Sequence, residues 1–159
     1  MRIKYLINKD PRVKDFNILI KNNFPNLLTE KKPELYLVAG GDGAMLHAIH
    51  KTIGKGIPYL GKAMGTFNFL MNQFDDDIQT INKILNDEIK IDTLSSHAIQ
   101  VYLNRKKLGE AVNDVILGDK ITSYFTFNVS TEQKDFDNFE IKGGGICIST
   151  TIGSTAFNY

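Results

Sequence analysis

The spacing of apolar and polar positions changes near the middle of the chain. Arg2 to Ile7 is a short apolar-rich run closed by Asn8, Lys9, Asp10 and Pro11. That pattern predicts a strand and then a helix starting near Pro11, where a missing N–H costs nothing. Val13, Phe16, Ile18, Leu19 and Ile20 are spaced to line one broad side of that helix. Lys31, Lys32 and Pro33 interrupt the pattern before Leu35, Tyr36, Leu37, Val38 and Ala39, a continuous apolar run that suits a strand buried on both faces. Gly40, Gly41, Asp42 and Gly43 follow at once. Helical spacing then runs from Ala44 through Met45, Leu46, Ile49 and Ile53, and Gly54 and Gly56 lead to another short strand, Ile57 to Leu60. Asp75, Asp76 and Asp77 put negative charge where a helix dipole favours it, ahead of a buried stripe of Ile78, Ile81, Ile84 and Leu85.

From about Ile89 the texture becomes that of strands. Ile99, Val101 and Leu103 alternate, and Val112 to Leu117 and Ile121 to Val129 are rich in β-branched and aromatic residues. The expectation is an α/β domain over residues 1–94 that carries the glycine turn, followed by the beginning of a β-rich domain over residues 95–159. No internal repeat interrupts this division.

Composition narrows the function. With 19 basic and 18 acidic residues the net charge is +1, which leaves no broad basic face for nucleic acid or an anionic membrane. Cys147 is the single cysteine among 159 residues, so neither an internal disulfide nor a cysteine-based zinc site is available. The first residues carry scattered charges and no long apolar stretch. The chain reads as soluble and cytoplasmic.

Three clusters carry candidate chemistry. A glycine-rich turn between a buried strand and a helix lets backbone N–H groups approach a phosphate. Asp42 is out of place in such a turn, because a carboxylate repels phosphate; it suits proton removal from an attacking hydroxyl, or a divalent cation, or simply a helix cap. Lys142 to Gly145 and then Ser149 to Tyr159, reading STTIGSTAFNY, combine glycines with hydroxyls that can serve a polar ligand, or form a β-turn with a helix cap at Ser154. Asn113 and Asp114 are polar residues set between Val112 and Val115, able to meet a base edge or ribose hydroxyls, or solvent.

The order of these clusters, GGDG, GTFNFL, AVND and GGGICISTTIGSTAFNY, resembles the NAD kinase family over most of the chain. The resemblance implies a Rossmann-like nucleotide-binding domain followed by a partial, β-rich second domain. It implies transfer of a phosphoryl group from ATP or polyphosphate to the adenosine ribose 2′-hydroxyl of NAD, with Mg²⁺ or Mn²⁺ on the donor phosphates and association of copies through the β domain. By position, Asp42 would be the base, and Gly43, His47, Phe69, Asn113, Asp114, Lys142, Thr155, Ala156, Phe157, Asn158 and Tyr159 would line the ligands. No residue is assigned to the metal. GGDG is shared with lipid and sugar kinases, so such a kinase is one alternative, and a non-catalytic nucleotide-binding fragment or subunit is another.

Several positions depart from the family pattern. Ala44 stands for a hydroxyl residue, Asn68 for glycine, Gly144 for an aspartate, Lys142 for arginine, Thr151 and Ile152 for a proline and a hydroxyl residue, and Phe157 for tyrosine. Family members also continue past GSTA, which implies either a fragment or a reduced relative that completes its sheet by association.

Overall fold

A computed structural model describes residues 1–65, 68–118, 124–132 and 139–155, the last without its side chain. The chain divides into two units, Met1–Ser95 and Ser96–Tyr159.

In the first unit, β1 (Ile3–Leu6), β2 (Leu35–Gly40) and β3 (Tyr59–Ala63) form a parallel three-stranded sheet in the order β1-β2-β3. The central strand is buried along its whole length. Its alternate side chains serve two layers. Leu35, Leu37 and Ala39 pack with α1 (Lys14–Asn23), α2 (Asn26–Thr29) and α4 (Asp77–Leu85), whereas Val38 packs with Met45 and Ala48 of α3 (Asp42–Thr52). This arrangement explains why the sequence of β2 is apolar without alternation.

The helix starts follow local chemistry. Asp10 accepts the Arg12 N–H at 2.9 Å, and Pro11 opens the single 3-10 turn Pro11–Val13 that precedes α1. The Arg12 guanidinium lies 2.6 Å from the same carboxylate and, with its own N–H, holds Asp10 down to about 2. Asp76 caps α4 by accepting the Gln79 N–H at 2.8 Å.

Some expected positions shift. Ile18 is exposed because a 3.6-residue period turns it away from the buried Phe16 and Ile20, and Ile78 is exposed in the first turn of α4, one turn before the buried Ile81. β3 begins two residues later than the apolar run suggested and continues through Gly61 and Lys62, the Pro58 carbonyl having accepted the Tyr36 N–H at 2.9 Å just before it. Lys62 is buried and stands 2.8 Å from Asp77 Oδ1 at the start of α4, with its ammonium 5.3 Å from the centre of the Phe74 ring. That ion pair is what allows a charge inside a strand.

The second unit is all β among its described residues beyond a short terminal turn. β4 (Ile99–Leu103) and β5 (Lys106–Ala111) form a hairpin around Asn104 and Arg105, at φ 48° and 68°. β6 (Asp114–Gly118) pairs with β9 (Gly145–Ser149), and β7 (Phe125–Val129) with β8 (Phe139–Gly143), both antiparallel. β5 escaped the pattern because Lys106, Lys107 and Leu108 are all exposed, which removes the alternation. No described helix is long and apolar enough to cross a membrane.

Candidate active site

In a parallel sheet, ligands meet the chain beyond the carboxyl ends of the strands. In the first unit that edge is formed by Asn8 after β1, Gly40 to Gly43 at the end of β2, and Met64, Gly65, Asn68, Phe69 and Leu70 after β3. Asn8 Nδ2 donates to the Ala39 carbonyl at 3.1 Å, the Asn8 carbonyl accepts from Asn17 Nδ2 at 2.8 Å, and Tyr5 donates to Asn17 Oδ1 at 2.6 Å. Burial pushes the Tyr5 phenol above its ordinary range, so it remains a donor in this chain of bonds. Gly40 has φ 147°, and a Cβ there would stand 2.7 Å from Ala44 Cβ and 3.0 Å from Asn8 Nδ2. Glycine therefore lets α3 begin directly against the strand end.

Asp42 is the first residue of α3, and Gly41 occupies the cap position. Its carboxylate turns to the segment after β3 instead of capping its own helix. Oδ2 accepts the Phe69 N–H at 2.9 Å, and Oδ1 accepts Phe69 N–H at 3.1 Å and Leu70 N–H at 2.9 Å. The first two sequence motifs, GGDG and GTFNFL, thus meet through one carboxylate and two backbone amides.

The loop that supplies those amides is closed at its base. Ala63 donates to the Asn72 carbonyl at 2.9 Å, Asn72 donates to the Gly61 carbonyl at 2.8 Å, and Met64 donates to the Gly40 carbonyl at 2.9 Å. Phe69 is 77% exposed, leaving an aromatic face available beside Asp42. Asn68 Nδ2 donates to the Gly65 carbonyl at 2.6 Å, while its buried Oδ1 has no partner among the described residues and faces Gly41.

Gly43 is exposed with open space around its Cα, and His47 and His50 are exposed on α3. Among the described residues no three His, Cys, Asp or Glu side chains gather to hold a metal ion. These residues do not fit a resident divalent cation, although an ion carried on donor phosphates needs few protein ligands.

In the second unit Asn113 and Asp114 stand at the start of β6, and Asn113 Nδ2 donates to Asp114 Oδ2 at 3.1 Å. The segment after β9 folds onto them. Thr150 donates its N–H to the Asn113 carbonyl at 2.8 Å and its hydroxyl to the Val112 carbonyl at 2.6 Å, with Asn113 O at 3.2 Å, and it accepts the Gly153 N–H at 3.1 Å. Gly153 opens the 3-10 turn Gly153–Thr155. Thr150 is thus the capping hydroxyl, and Ser154, the cap expected from sequence, instead donates its Oγ to the Thr151 carbonyl at 2.9 Å. The AVND and STTIGST motifs come together in this way. Lys142 lies in the other strand pair, exposed and 3.4 Å from Glu140. Gly144 sits in the turn between β8 and β9. The Thr155 side chain and Ala156, Phe157, Asn158 and Tyr159 lie outside the described residues.

Sequence reading missed three supporting groups: the Tyr5–Asn17–Asn8 chain, the Lys62–Asp77 pair and Thr150. A lysine within the apolar run Tyr59 to Met64 was a usable signal, since it demands a partner, and a hydroxyl directly after an apolar strand was another. Nothing in the sequence separation announces the Asn17 bonds.

Residues 13–90 match the ATP-NAD kinase N-terminal domain family. The NAD kinase of Methanosarcina acetivorans is 32% identical over 132 residues, which cover 82% of this chain and 46% of that protein. The NAD kinase of Sulfurimonas denitrificans is 30% identical over 122 residues, covering 75% of this chain and 42% of its own length. The chain thus spans somewhat less than half the length of these two relatives. Among solved structures, an NAD kinase from Archaeoglobus fulgidus in complex with ATP shares the fold, with a TM-score of 0.57 and 17% identity over 99% of this chain and 64% of that one. Taken together with the meeting of GGDG and GTFNFL at the sheet edge, these matches make the chain a relative of the NAD kinases that corresponds to their N-terminal part.

Proposed function

We propose that this chain takes part in phosphorylating the adenosine ribose 2′-hydroxyl of NAD to give NADP, with ATP or polyphosphate as donor and Asp42 as the base. The observation that carries the proposal is Asp42 itself: a carboxylate at a glycine turn on the carboxyl edge of a parallel sheet, fixed in direction by the Phe69 and Leu70 amides. Oδ2 is the less engaged oxygen, with one shared N–H, and is the atom to take the hydroxyl proton. As the ribose oxygen bonds to the γ-phosphorus, the bond from that phosphorus to the β-γ bridging oxygen breaks and the shortened donor leaves. Asn68 Oδ1, buried beside Gly41 and without a partner among the described residues, offers an acceptor to a ligand at the same turn. Phe69 supplies an exposed aromatic surface, and Asn113 with Asp114 supply acceptors and donors for ribose and nicotinamide groups. Gly43 and His47 would face phosphate, Lys142 and the segment 155–159 the nucleotide, and Mg²⁺ or Mn²⁺ would arrive with the donor. Association through the second unit belongs to the same proposal.

NADP formation from NAD, ATP and Mg²⁺ by the 159-residue chain, beside an Asp42→Asn variant, tests it. The expected loss in the variant is at least about a hundredfold. One observation favours a second reading, a nucleotide-binding subunit without its own chemistry: both Asp42 oxygens already accept backbone amides. NAD binding without turnover would support that reading. Phosphorylation of a lipid or sugar instead of NAD would displace both.

A further inference from the structure

We propose that Thr150 is a positioning residue for the Asn113–Asp114 pair, acting through backbone without touching the ligand. The inference rests on the reading above, in which that pair holds NAD. Val112 and Asn113 form the link between β5, which ends at Ala111, and β6, which begins at Asp114; the β6–β9 register carried on by one residue sets Asn113 opposite Thr150, while the Val112 carbonyl lies beyond the paired residues of both ladders. Backbone carbonyls away from water need donors. Thr150 supplies both: its hydroxyl goes to Val112 O at 2.6 Å and its N–H to Asn113 O at 2.8 Å.

The same hydroxyl fixes the opposite wall. It accepts the Gly153 N–H at 3.1 Å, and Gly153 approaches so closely that a Cβ on it would stand 2.0 Å from Asn113 O. Thr150 is 8% exposed, so water does not replace it. One hydroxyl therefore uses its donor on the link that presents Asn113 and its acceptor on the turn that packs against that link. The pairing of Asp114 with Ser149 brings the neighbouring carboxylate to the same strand end. Removal of the hydroxyl leaves the Thr150 N–H on Asn113 O but takes the donor from Val112 O and the acceptor from the Gly153 N–H, so the link and the turn loosen together and Asn113 and Asp114 are held in direction less firmly.

The test compares the unsubstituted chain with Thr150→Val, which keeps the shape, and Thr150→Ser, which keeps the hydroxyl. NAD affinity is measured by calorimetry and exchange of the Gly153 amide by NMR, at a temperature where circular dichroism shows each variant folded. Loss of one buried hydrogen bond predicts roughly tenfold weaker NAD binding and about tenfold faster Gly153 exchange in Thr150→Val. Thr150→Ser is expected within about twofold of the unsubstituted chain for both, since the hydroxyl keeps its bonds. If Thr150→Val does not fold, Thr150→Ala set against Thr150→Ser carries the same contrast. NAD binding that survives loss of the hydroxyl, or a serine variant as impaired as valine, overturns this inference alone. Failure of the unsubstituted chain to bind NAD overturns it together with the functional reading.

Discussion

A methyl group added at Gly153 would stand 2.0 Å from the Asn113 carbonyl oxygen, whereas one added at Gly43 meets nothing within 4 Å. Both glycines belong to motifs that the sequence singled out, but they answer to different demands. Gly153→Ala must push backbone apart and is expected to destabilise the second unit by about 2 kcal/mol. Gly43→Ala sits in the first turn of α3 and is expected to stabilise the first unit by about 0.5 kcal/mol, through helix propensity. Urea denaturation followed by tryptophan-free probes such as far-ultraviolet dichroism checks both. Weakened ATP or NAD binding by the stabilised Gly43→Ala variant would separate a ligand-facing glycine from a folding one. The residue type at such positions was legible in the sequence, but its reason was not. Three glycines around Asp42 announce a turn, yet the amides of Phe69 and Leu70 that meet its carboxylate lie 27 and 28 positions away along the chain and have no side-chain signature. Thr150 was hidden for the same reason, since its partners are carbonyls, which every residue possesses.

Elements were read most faithfully where one period governs them. β2, α3 and the start of α4 follow from a continuous apolar run, a glycine turn and an acidic cap. β3 was misplaced because its end is held by a charge, and β5 was missed because its first three residues all meet water. The two ion pairs at element ends make separate predictions. At the start of α1 the Arg12 guanidinium and N–H lower the Asp10 carboxyl to about 2 from its ordinary 3.8. A carboxylate depressed in the folded chain contributes above its unfolded value and loses that contribution as pH falls through the folded one. Carbon-detected titration should therefore find Asp10 ionised at pH 3 and turning over near 2, and Arg12→Ala should bring its midpoint back toward 3.8. At the start of α4 the partly buried Asp77 faces the buried Lys62. Asp77→Ala leaves that ammonium without its carboxylate and is expected to cost about 3 kcal/mol, whereas Lys62→Met removes the need for a partner and should change stability by less than about 1 kcal/mol. Thermal denaturation of both variants distinguishes a pair kept for stability from one kept for something else.

At the scale of the whole molecule the two units differ in how much apolar surface they cover. The first encloses its sheet between helices on both faces, while the second leaves Ile116, Leu117 and Ile148 of the β6–β9 pair more than half exposed, with Tyr102, Leu103 and Leu108 of the hairpin in the same condition. Two-stranded pairs are marginal alone, and apolar strand surface seeks cover. Sedimentation of the chain at rising concentration is expected to show a mass increasing beyond 17.9 kDa, and substitutions Ile116→Lys and Ile148→Lys are expected to suppress the increase. A single species of that mass at every concentration would remove association from the proposed function. The division into a helical and a strand-rich half was visible in the changing period of the sequence, but how the strands pair was not, because β6 finds β9 across the whole of the intervening β7–β8 pair. The loop after β3 has a consequence for how such a chain can change. Ala63 and Asn72 stitch its two ends together across the last rung of the sheet, so the loop is a clasp: a change at its base that shifts Asn72 also shifts Phe69 and Leu70, and is felt at the Asp42 carboxylate their amides hold.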